Sequence, residues 1–180
     1  MSQQEKYSKM FSELVINPAK LPEIKAVAAQ ILTGKERYLA LEKISKVPWY
    51  VIGMIHSLEA SCNFTKHLYN GDPLTARTVQ VPKGHPKEGT PPFTFEQSAI
   101  GALKLQGLIA EKDWSIGNIL HILEGFNGYG YTKYHPEINT PYLWSYSQFY
   151  KKGKYGSDGK FDANLVSKQP GVACILKYLL

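Results

Sequence analysis

The chain has 180 residues, with 21 Lys and Arg against 15 Asp and Glu, a formal net charge of +6. At 43% hydrophobic and 20% charged residues it is too apolar and too weakly charged to stay disordered, and its length suits one domain with its own core. Two cysteines, Cys62 and Cys174, exclude a disulfide framework and a C-x-x-C metal site, and no apolar run approaches the roughly 18 residues of a membrane span.

In chain order, Tyr7, Met10, Phe11 and Leu14 recur at three- and four-residue intervals and predict a helix over 3–15, broken by Asn17-Pro18. Ile24, Val27, Ala28 and Ile31 predict a second helix from about Leu21 to a stop at Gly34. Tyr38, Leu41 and Ile44 predict a third over 35–46. Pro48 suits the first turn of the most apolar helix, 48–60. Residues 61–94 hold five prolines and three glycines around one β-like run, 75–81. Thr94 and Gln97 form a capping-box pattern that starts a helix running to about Ala110. A further helix is expected over 115–124, then a Gly/Tyr-rich segment to 134, an aromatic, turn-rich stretch over 138–160, and a closing helix over 170–180. The expected fold is mainly α, of α+β type, with a small β excursion around residues 75–81. It forms a single domain, 1–180, whose N-terminal helices (about 3–46) pack on the core helix 48–60.

The sharpest chemical signal lies on that core helix. Ile52 and Ile55 share a face with Glu59, seven and four residues before it. A carboxylate on an apolar stripe is costly when ionised, and the negative end of the helix dipole adds to the cost. Both effects raise its pKa, toward the protonated form that a general acid such as that of a glycosidase needs. The other reading of the same spacing is a helix end that turns outward and leaves Glu59 solvated. Asp72 follows 13 residues later within Asn70-Gly71-Asp72-Pro73-Leu74, ahead of Thr75-Ala76-Arg77-Thr78; Asn-Gly-Asp is also an ordinary turn.

An acid at a helix end, then a polar loop with one Asp and several hydroxyls, then a short β-like run, resembles the lysozyme-like superfamily. The nearest likeness is to goose-type lysozymes and to bacterial and phage lytic transglycosylases and muramidases. It covers about residues 35–145 and is strongest over 47–78. The resemblance implies a peptidoglycan-cleaving glycosidase with Glu59 as general acid at the β-1,4 linkage between N-acetylmuramic acid and N-acetylglucosamine. Asp72 would be the second carboxylate, with Thr75 and Thr78 bonding the water or that carboxylate. The superfamily's Glu-Ser pair is here Glu59-Ala60-Ser61, which displaces the hydroxyl by one position.

In the second half, Phe126-Asn127-Gly128 loosely resembles the Tyr-Asn-Ala-Gly segment that lines the cleft of lytic transglycosylases. Asn127 would contact N-acetyl groups, and Tyr129, Tyr131, Tyr142 and Trp144 would offer rings to sugars; a packed helix end and core aromatics are the alternative. Glu124 ends an apolar helical pattern much as Glu59 does, and is a second candidate for the partner carboxylate.

Other readings stay beside this one: a lytic transglycosylase leaving 1,6-anhydro ends, a non-catalytic wall-glycan-binding module, and a metal-dependent hydrolase using His56/Glu59 and His121/Glu124, two matched His-x-x-Glu spacings. The preferred reading needs no metal and no cofactor. Its partner is the anionic peptidoglycan strand, which the positive charge would attract. With lysines scattered and only Arg37 and Arg77 as arginines, nucleic acid is not expected. Membrane insertion is not expected either, and a monomer is. The polar start of the chain shows no secretory pattern. Synthesis in the cytoplasm, with release by lysis, a phage holin or a secretion system to reach the wall, is the corresponding expectation.

Overall fold

Reciprocal capping boxes start two of the helices. The Ser2 hydroxyl accepts the Glu5 N–H at 3.2 Å while the Glu5 carboxylate accepts the Ser2 N–H at 2.6 Å. Thr94 and Gln97 repeat the reciprocal pair at 3.1 and 2.9 Å. The computed structural model describes residues 1–180. Its helices are α1 (Gln3–Ser12), α2 (Leu21–Thr33), α3 (Lys35–Ser45), α4 (Trp49–Ala60), α5 (Phe95–Leu105), α6 (Ile116–Asn127), α7 (Gly130–Tyr134), α8 (Pro141–Trp144) and α9 (Val172–Leu179). One antiparallel pair, β1 (Lys154–Tyr155) and β2 (Phe161–Asp162), sets Lys154 opposite Asp162 and Tyr155 opposite Phe161. The fold is mainly helical with a small sheet, as the sequence predicts.

That sheet is not where the β-like run lies: residues 75–81 form no strand. Side chains and local turns take up the backbone groups a ladder would need. Asp72 accepts the Val79 and Gln80 N–H groups, the Thr78 hydroxyl accepts the His85 N–H, and the Thr78 N–H donates to the His85 carbonyl. Val79 and Val81 are left exposed.

The chain divides into two compact units, Met1–Ala28 with Trp114–Leu180, and Ala29–Asp113. In the first, α1 packs against α6, and α8 packs against α9. Tyr7 and Met10 of α1 and Ile119, Leu120 and Leu123 of α6 are buried, each large apolar side chain contributing about 2 kcal/mol by leaving water. Gly117 permits this approach, since a Cβ there would lie 2.1 Å from the Gln4 carbonyl oxygen. The helix expected over 3–15 thus has its packing partner in α6.

In the second unit α3 packs on α4 and also touches α5. Gly53 makes room in α4 for Ile31 and Tyr38, whose atoms would lie 2.6 and 3.1 Å from an added Cβ. Ile52, Met54, Leu41, Phe95 and Leu103 complete its buried core. No helix is long and apolar enough to cross a membrane.

Candidate functional site

Helix α4 ends where Ser61 turns left-handed at φ 51°, its N–H returning to the Ser57 carbonyl. Cys62 follows at φ 57°, its N–H bonded to the His56 carbonyl at 3.2 Å. Two consecutive non-glycine residues in this region hold the chain in a sparsely populated conformation beginning two residues after Glu59. On the face predicted from the spacing, Ile52 and Ile55 are buried and Glu59 is half-buried. Burial pushes the Glu59 carboxyl above the ordinary carboxylate range, and no charge or hydrogen bond offsets that shift.

The Asn70–Asp72 loop crosses this helix end. Gly71 sits at φ +78°, where a Cβ would lie 2.6 Å from the Glu59 carbonyl oxygen, so conformation and space both require glycine. The loop is locked by reciprocal bonds: Asp72 N–H donates to the Asn70 Oδ1 at 3.0 Å, and Asp72 Oδ2 accepts from Asn70 Nδ2 at 3.1 Å, Val79 N–H at 2.8 Å and Gln80 N–H at 3.0 Å. The Gln80 N–H, then those of Val79 and Asn70, hold the Asp72 carboxyl below its ordinary range. Two carboxyls of one unit, on segments that touch, are thus driven in opposite directions: Glu59 toward the acid, Asp72 toward the anion.

Beneath the loop lies a buried Ser–His pair. His67 Nε2 is 2.8 Å from the Ala76 carbonyl oxygen, which can only accept, so Nε2 carries the hydrogen. His67 Nδ1 then accepts from the Ser98 hydroxyl at 2.9 Å, and Ser98 Oγ accepts the Leu68 N–H at 3.1 Å. Both residues are fully buried, and the pair clamps the loop rather than presenting a nucleophile. Thr75 is exposed, whereas Thr78 is buried, its hydroxyl donating to the Pro82 carbonyl and accepting the His85 N–H.

Glu124 lies in the other unit and has a different environment. It is 0% exposed, and its two carboxylate oxygens accept from the Tyr7 hydroxyl at 2.6 Å and the Thr132 hydroxyl at 3.0 Å. This ties α1 and α7 to α6. Burial, then the Glu124 contact, raises the Tyr7 pKa, so Tyr7 remains the donor. Glu124 is closed off from solvent, contrary to a cleft carboxylate.

Of the aromatic candidates, Trp144 is wholly buried between Tyr7 and Phe149, at ring distances of 5.7 and 5.5 Å. Tyr131 is buried too, its hydroxyl accepting the Tyr155 N–H. Neither offers a ring face to solvent. Asn127 and Tyr129 are exposed; Tyr129 stacks on His121 and donates to the His121 carbonyl. Tyr142 is half-buried on α8.

The metal reading finds no carrier in this geometry. His56 is enclosed by Tyr38, Phe64 and Phe95, with Nδ1 bonded to the Tyr38 hydroxyl at 2.8 Å. Burial lowers its pKa to about 4, both oxygens of Glu124 are taken, and no three His, Cys, Asp or Glu side chains converge. The Cys62 thiol is pushed up by burial, which leaves it a poor nucleophile.

Glu59 is a candidate from its helix face and Asp72 from the resemblance, whereas Gly71 and the His67–Ser98 clamp are not among the residues singled out from the sequence. Gly71 had a signal in the Asn-Gly-Asp turn. The clamp joins residues 31 apart in sequence and left none. Comparison with family models, curated proteins and solved structures finds no match to this chain.

Proposed function

We propose that the protein is a peptidoglycan-cleaving glycosidase of muramidase type, with Glu59 as general acid. The observation that carries this reading is the opposed pair of carboxyls in the Ala29–Asp113 unit: one raised by burial at a helix end, one held ionised by backbone N–H groups on the loop that crosses it. Carboxyls whose environments separate their pKa values divide the labour of glycoside cleavage. Glu59 gives its proton to the glycosidic oxygen as the bond to the sugar C1 breaks. The Asp72 carboxylate stabilises the positive charge that develops on the ring, or orients the attacking water. The net charge of +6 draws the protein to an anionic wall polymer and is screened by salt.

One observation favours a second outcome of the same chemistry. Asp72 Oδ2 already accepts three hydrogen bonds, a task that holds the loop in place. If holding the loop is all that Asp72 does, the sugar's own 6-hydroxyl attacks C1 and the product carries a 1,6-anhydro end. Mass spectrometry of muropeptides released from purified sacculi tests both. Disaccharide muropeptides with reducing ends support the hydrolase and anhydro ends the transglycosylase. Binding to sacculi without release of any muropeptide would mean a wall-binding module and would end the enzymatic reading.

A further inference from the structure

The two oxygens of the Asp72 carboxylate are used unevenly. Oδ2 accepts from Asn70 Nδ2 at 3.1 Å, Val79 N–H at 2.8 Å and Gln80 N–H at 3.0 Å, while Oδ1 takes none of these bonds. Two of the donors are main-chain groups that any residue at 79 or 80 other than proline supplies. The third depends on which side chain stands at position 70.

Asn70 is half-buried and uses both ends of its amide. Its Oδ1 accepts the Asp72 N–H at 3.0 Å, and its Nδ2 donates to Asp72 Oδ2 and, at 3.5 Å, toward the Val81 carbonyl. An acceptor at one end and two N–H donors at the other is what a primary amide carries. The backbone of the same turn is braced separately. The His67 N–H donates to the Asp72 carbonyl at 2.7 Å, and the Gly71 N–H donates to the His67 carbonyl at 2.9 Å. The main chain thus has its own supports, and Nδ2 of Asn70 acts on the carboxylate.

We propose that Asn70 is a positioning residue for Asp72: its amide pins Oδ2 against the Val79 and Gln80 N–H groups and so leaves Oδ1 as the oxygen that serves the reacting sugar or its water. This role rests on the glycosidase reading.

Asn70→Asp makes the donor conditional on pH. The variant keeps the shape of the side chain and the acceptor for the Asp72 N–H. Two carboxyls this close share one proton over a range of pH. While that proton is held, an O–H reaches Asp72 Oδ2 as the amide does. Once it leaves, position 70 presents an anion to Asp72 Oδ2 and to the Val81 carbonyl, both of them acceptors, and the Asp72 carboxylate is pushed off its N–H partners. The other titratable groups facing Asp72 are His67, in its own loop, and Glu59, on the helix that the loop crosses. Both are present in parent and variant alike, so a ratio to the parent at each pH removes their contribution.

The test is the rate at which Asn70→Asp lyses purified sacculi, divided by the parental rate at the same pH, with the Val79 and Gln80 amide resonances followed in parallel. The expected ratio is within about twofold of unity at about pH 4.5 and about tenfold lower at about pH 7.5; Asn70→Ala, which has no donor at any pH, is about tenfold below the parent at both. The two amide resonances should move between these pH values in Asn70→Asp and stay in place in the parent. An Asn70→Asp ratio that is the same at both pH values, or amide resonances that do not move, would overturn the role of Asn70 and leave Glu59 as the acid. A parent that lyses sacculi at neither pH would instead end the glycosidase reading, and this proposal with it.

Discussion

Glu59 and Glu124 occupy the same position in two similar sequence patterns. Each follows a histidine by three residues and stands near the end of an apolar helix. In the structure they are opposites. Glu124 is sealed and held by two hydroxyls, one of them 117 residues away in sequence. Glu59 is half-buried, and its carboxyl is shifted upward by burial alone. A buried carboxyl that has found its donors serves as a structural tie, and a partly buried one that has not is free to exchange a proton. Amphipathic spacing cannot tell the two apart, because the deciding donors come from elsewhere in the chain.

This contrast can be broken by mutation. The largest stability effect is expected at Glu124: Glu124→Ala strands the buried Tyr7 hydroxyl, opens a cavity, and should cost about 3 kcal/mol in chemical denaturation. Glu59→Ala should stay within about 0.5 kcal/mol of the parent. Equal losses at the two positions would remove the distinction.

A second expectation concerns pH. The folded-state pKa of His56 is lowered to about 4 from 6.5, so the unfolded chain binds the proton more readily. The stability this provides is complete above pH 6.5 and is lost as the pH falls through 4, amounting to about 3 kcal/mol. Arg37 and the Tyr38 hydroxyl face the same ring cluster, and neither changes charge in that window. Denaturation at a series of pH values should show the slope in the parent and a flatter profile in His56→Asn.

Smaller again is the effect expected of Gly71→Ala. It puts a side chain at positive φ against the Glu59 carbonyl and should cost about 2 kcal/mol. The same change should reduce wall lysis beyond any loss of folded protein, because it moves the Asp72 loop away from the helix end. A stability loss with full specific activity would separate the loop from the chemistry.

Much of the helical framework was legible because it is written locally. The Thr94–Gln97 capping box, the break at Asn17-Pro18 and the apolar run from Trp49 each act within a few residues. The run at 75–81 misled because alternation of β-prone residues describes a strand only if a partner strand satisfies the backbone. Here Asp72 and Thr78 satisfy it instead. Within the candidate site, the half-burial of Glu59 was readable from its face on α4, and the turn at Asn70–Asp72 from its residue types. The burial of Trp144 and Tyr131 was not, since the same aromatic residues build sugar platforms and cores, and only long-range packing decides between them.

The central claim is that a proton held by Glu59 cleaves the glycan. Lysis of purified sacculi by Glu59→Gln, at a protein concentration and Tm matched to the parent, tests it most directly. Glutamine preserves the shape of the side chain but has no proton to give, and the account predicts a rate lower by at least about a hundredfold. A Glu59→Gln protein that clears sacculi at the parental rate would contradict it.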